Sequence, residues 1–118
     1  MARLRSTHES LELTPAPVVA AGAGLGSGSP SATVVGMDEW GTLTLVVGTS
    51  PAAGTLATVT FQNAYSVQAP AVVISAVDSA TATVGGFYAS VTKTAITVGT
   101  HGTPAGTMKV NYAVIGGA

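Results

Sequence analysis

Apolar and polar residues alternate with a period of two through most of the chain, and that spacing predicts strands. In residues 107–115, Met108, Val110, Tyr112 and Val114 take one side, while Thr107, Lys109, Asn111 and Ala113 take the other. Such a strand can bury one face, and it is expected to pair in a sheet interior with strands formed earlier in the chain. The same reading places strands near 32–36, 41–48, 54–62, 70–77, 86–92 and 94–99. Leu43, Leu45 and Val47 should point inward from the second of these, and Ala57, Val59 and Phe61 from the third. Residues 71–77, Ala-Val-Val-Ile-Ser-Ala-Val, are almost continuously apolar and read as a central strand. Either Val72 and Ile74 or Val73 and Val77 face the core there. Phe87, Ala89 and Val91, then Ile96 and Val98, continue the inward set. No segment supports a helix, because β-branched residues abound and Leu, Glu, Lys and Arg are scarce. Short strands at regular spacing, broken by Gly, Pro, Ser and Asp, predict an all-β fold, a sandwich or a barrel.

The alternation starts only after residue 31. Residues 1–13 hold four of the nine charged residues but no sustained period, so they read as an arm outside the core. Residues 14–31 carry Pro15, Pro17, Pro30 and a Gly/Ser/Ala run from Ala20 to Ser29, the composition of a linker. The expected organisation is therefore an extended arm and linker over 1–31 and an all-β domain over 32–118.

Composition changes this picture in one respect. Charged residues make up only 8% of the 118-residue chain, against about 25% in ordinary soluble domains. Solubility normally rests on charge, so an exterior this neutral is expected to be covered by copies of the chain or by a larger assembly. The four basic residues, Arg3, Arg5, Lys93 and Lys109, are scattered, which argues against nucleic acid as a partner. With no cysteine there is neither a disulfide framework nor a thiolate metal site. Polar residues from Ser6 to Glu12 stand where a signal peptide would be apolar, and no apolar run is long enough to span a bilayer, so no membrane role is expected.

From Gly54 to Ile115 the order of features resembles a domain of tailed-bacteriophage virion proteins, among them capsid decoration proteins and fibre tips. The matching pieces are Gly54–Phe61, Pro70–Ile74, Phe87–Thr92, and Ala105-Gly106-Thr107 leading to Asn111-Tyr112-Ala113-Val114-Ile115-Gly116. The last resembles that family's closing strand of aromatic, any residue, Val, Ile, Gly. The resemblance implies a small antiparallel β-sandwich, jelly-roll-like, often a homotrimer, without catalytic residues or cofactors, made in the host cytoplasm and carried on the outer surface of the virion. A short chain without a shaft favours capsid decoration over a fibre. The major capsid protein lattice would then be the partner, gripped by Leu4, Leu11, Leu13 and Val18 of the arm. The alternative is a fibre-tip or tail-associated module that stacks a host-surface glycan on Trp40, Tyr65 or Tyr88.

Candidate chemistry is sparse. His8 and His101 lack partners at ligand spacing, except for Glu9 and Glu12 beside His8 in the arm. Asp38-Glu39-Trp40 is the densest polar cluster of the sandwich; it reads as a surface turn whose Trp40 covers the sandwich edge or a neighbouring copy. Asp78 alone falls far short of a calcium shell and reads as a turn residue. Gly22-Ala23-Gly24-Leu25-Gly26 lacks the strand and helix of a dinucleotide fingerprint and is assigned to the linker. No catalytic set lies on credible elements, so the chain is not expected to be an enzyme, and no metal or cofactor is expected.

Overall fold

The structure, a computed structural model, describes residues 16–118. Leu4, His8, Leu11 and Leu13 lie outside the described residues, as does most of the expected arm. The fold is all-β, with eight strands in two four-stranded antiparallel sheets. The strands are β1 (Val18–Ala21), β2 (Ser31–Met37), β3 (Trp40–Val46), β4 (Gly54–Thr60), β5 (Ala71–Ala76), β6 (Phe87–Val91), β7 (Ala95–Thr100) and β8 (Thr107–Ile115). One sheet has the order β1-β4-β7-β6 and the other β2-β3-β8-β5. Only β2–β3 and β6–β7 are sequential neighbours within a sheet; every other connection crosses between sheets.

The core forms where the inner faces meet. Ala57, Val59, Ile96 and Val98 from one sheet join Leu43, Leu45, Met108 and Val110 from the other, all fully buried. A register shift between Thr55 and Ala57 lets consecutive residues Leu56 and Ala57 both turn inward. β8 lies inside its sheet, between β3 and β5, as its alternation predicted.

Three expectations are corrected. Residues 18–25 are not linker: β1 pairs with β4, and Leu25, at the end of a short 3₁₀ turn (Ala23–Leu25), is fully buried. The glycines there are packing residues, since a Cβ on Gly22 would lie 2.4 Å from the Thr55 carbonyl oxygen and one on Gly24 2.7 Å from it. The strand at 71–76 is an edge strand, not a central one; Val72 and Ile74 face the core and Val73 is 54% exposed. A helix is present, the six-residue α1 (Ser79–Val84). The Asp78 carboxylate caps it by accepting from Thr81 N–H at 2.8 Å, and the buried Thr81 hydroxyl accepts from Lys109 N–H at 2.9 Å. Local capping and packing against β8 override the weak helix propensity of Ser-Ala-Thr-Ala-Thr-Val.

Candidate functional surface

Strand alternation sends Trp40, Thr42 and Thr44 outward from β3, because Gly41, Leu43 and Leu45 are buried. Cross-strand register then places Met37, Trp40, Ala113 and Val73 in one row across the outer face of the β2-β3-β8-β5 sheet. Of the large hydrophobic residues left exposed in the described chain, Val35, Trp40, Val73, Val77 and Ile115 belong to this face. Its only charged residue is Lys109. The outer face of the other sheet carries no charge, and there Thr58, Thr60, Thr97 and Ser90 dominate, with Val18 and Tyr88 as its exposed large side chains.

The end of the sandwich next to Trp40 is held by two polar devices. Asp38 is no surface turn residue: only 3% exposed, its two carboxylate oxygens accept the N–H groups of Gln62 and Asn63, each at 2.9 Å. This ties the β2–β3 turn to the segment leaving β4. Tyr112 lies across Gly41, where a Cβ would meet its ring at 2.7 to 2.9 Å, and its hydroxyl donates to the Met37 carbonyl at 2.6 Å. Burial, followed by the negative charge of Asp38 and Glu39, pushes the Tyr112 hydroxyl up to about 12. Tyr65 is shifted upward by burial, then by Glu39 and Asp38.

The residues singled out from sequence do not share one surface. Trp40 is 50% exposed on one outer face. Tyr65 is half-buried at the same end, edge-on to Phe61 at 5.4 Å and against Gly117. Tyr88 sits on the opposite outer face at the other end, over Gly99 and 4.9 Å from the His101 ring. Val18 is 62% exposed on the edge strand of that second sheet. The aromatic rings therefore form no common stacking platform. Gln62 Nε2 donates to the Ala16 carbonyl at 3.1 Å, which ties the first described residue to the segment leaving β4.

Among the described residues no group of His, Asp and Glu could hold a metal ion. No described helix is long and apolar enough to cross a membrane. The apolar row around Trp40 was not foreseen, because it depends on cross-strand register; its one sequence signal is Trp40 at a position opposite in phase to Leu43 and Leu45. Compared with protein families, curated proteins and solved structures, the chain finds no match.

Proposed function

We propose that the chain is a structural component of a phage virion, a capsid decoration protein that self-associates on the outer shell and is anchored in part by its N-terminal arm. The observation that carries this reading is the exterior of the sandwich: two broad outer sheet faces with a single charged residue, Lys109, between them. A neutral surface of Thr, Val and Ala is poorly suited to a free monomer and well suited to lasting contact with protein. Decoration, the capsid lattice as partner and assembly in threes come from the resemblance to virion proteins. Ala16, tied to Gln62, is the described residue next to the arm in sequence, and the arm's leucines would reach the lattice from there. Tethering several arms in one assembly would turn weak contacts by Leu4, Leu11 and Leu13 into durable attachment.

The test compares the full chain with its L4S/L11S/L13S variant on undecorated phage capsids. Occupancy at a fixed concentration should fall sharply in the variant; saturation at the same concentration would remove the arm from the anchor. A second reading, a fibre-tip or tail module that binds host-surface glycan, is favoured by one observation, the 50% exposure of Trp40. A glycan array on the same preparations separates it from decoration.

A further inference from the structure

We propose that the outer face of the β2-β3-β8-β5 sheet packs on the same face of a second copy, about a two-fold axis parallel to the strands and passing between β3 and β8. The pairing rests on the self-association in the reading above but not on the viral shell.

The argument lies in the register. A two-fold axis along the strands keeps every residue at its own level and exchanges β3 with β8, so each cross-strand row meets itself reversed. In the row Met37–Trp40–Ala113–Val73, Trp40 then lies over Ala113 of the second copy, and Met37 over its Val73. The largest knob of the face meets one of its shallowest positions, twice, in one contact. Lys109 stands beside Thr44 in its own row, so it meets Thr44 of the second copy rather than the second Lys109. An isologous contact fails when like charges are brought together, and this face contains one charge placed off the axis.

Size points the same way. Four strands about 4.8 Å apart and seven residues at about 3.4 Å each span about 19 by 24 Å, or about 450 Å² in projection. Side-chain relief raises the accessible area above that figure, towards the roughly 800 Å² per partner of a standard interface. A partner recognised by charge finds only Lys109 to hold here. On assembly order, the register speaks for two copies where the resemblance implies three.

Trp40 is the only tryptophan, so its fluorescence reports on the contact directly. Diluting the full chain through the micromolar range should shift the emission to the red as sedimentation passes from two copies to one. Trp40→Ser and Ala113→Arg, both at exposed positions, should each weaken pairing at least about tenfold with unchanged circular dichroism. Tyr88→Ser, on the opposite face, should leave pairing as it is. A monomer at all concentrations, or a dimer indifferent to Trp40→Ser and Ala113→Arg, overturns the proposal. A trimer overturns the two-fold pairing and leaves decoration standing, while a monomer that needs Trp40 to occupy capsids gives this face to the lattice instead.

Discussion

The two sheets are alike inside and different outside. Their inner faces contribute matched sets of fully buried side chains, Ala57, Val59, Ile96 and Val98 against Leu43, Leu45, Met108 and Val110. On the outside, the β1-β4-β7-β6 sheet shows the row Ala20–Thr58–Thr97–Ser90, whereas the β2-β3-β8-β5 sheet shows Met37–Trp40–Ala113–Val73. Both rows are uncharged, and only the second is large and apolar. Folding requires the inner faces to be greasy and makes no such demand outside, so an exposed Trp in the second row costs solubility without adding to the core. The difference between the outer faces is what the proposed pairing would use.

The inner faces should respond most strongly. Tyr112→Ser removes a ring that is 3% exposed together with its hydrogen bond to Met37, and should lower unfolding free energy by about 3 to 5 kcal/mol. Leu25→Ala should cost about 2 to 5 kcal/mol, a loss inconsistent with a linker. His101→Ala, at an exposed loop position beside the Tyr88 ring, should stay within about 0.5 kcal/mol. Urea titrations of these three rank them. If Tyr112→Ser and His101→Ala were equal, the inward assignment of β8 would be wrong.

These contrasts mark where the sequence was informative. Alternation named the inward residues of β3, β4, β7 and β8, because a strand with one buried face writes its register into hydrophobicity. It left residues 71–77 undecided, since an edge strand with Val73 and Val77 exposed resembles a strand buried on both sides. β1 and the Leu25 turn were hidden by composition: glycines required for close approach to Thr55 look like linker glycines until their neighbours are known. Asp38 looked superficial because its partners, Gln62 and Asn63, are more than twenty residues away. The candidate surface was the least legible feature, for it exists only as a row across four strands.

The polar devices at the Trp40 end should come next in size. Asp38→Ala leaves the N–H groups of Gln62 and Asn63 without their shared acceptor and should cost about 1 to 3 kcal/mol by the same titration. A loss as small as that of His101→Ala would mean that the turn holds without its carboxylate.

Alkaline pH isolates Tyr112. Its hydroxyl titrates near 12 in the folded chain and near the ordinary value of about 10 when unfolded. Between those values the unfolded chain releases the proton while the folded chain keeps it, so stability must fall as pH rises through that window. Tyr65, also shifted upward, contributes in the same direction. Tyr112→Phe should flatten the decline measured between pH 9 and 11 without abolishing it. An unchanged slope would mean that the Tyr112 ring is not held in the pocket between Gly41 and Met37.

The smallest effect on folding gives the sharpest test of the two outer faces. Val73→Thr and Thr97→Val exchange isosteric side chains at outward positions, the first on the apolar row and the second on the hydroxyl row of the other sheet. Because neither side chain enters the core, each should change unfolding free energy by no more than about 0.5 kcal/mol. Association should separate them. Val73→Thr places a hydroxyl where Met37 of the second copy would pack and should weaken pairing by several-fold, whereas Thr97→Val should leave it unchanged. If both substitutions altered association equally, the two exteriors would be interchangeable sticky surfaces. If only Thr97→Val strengthened it, the functional face would be the hydroxyl row, and the apolar row around Trp40 would be free for another partner.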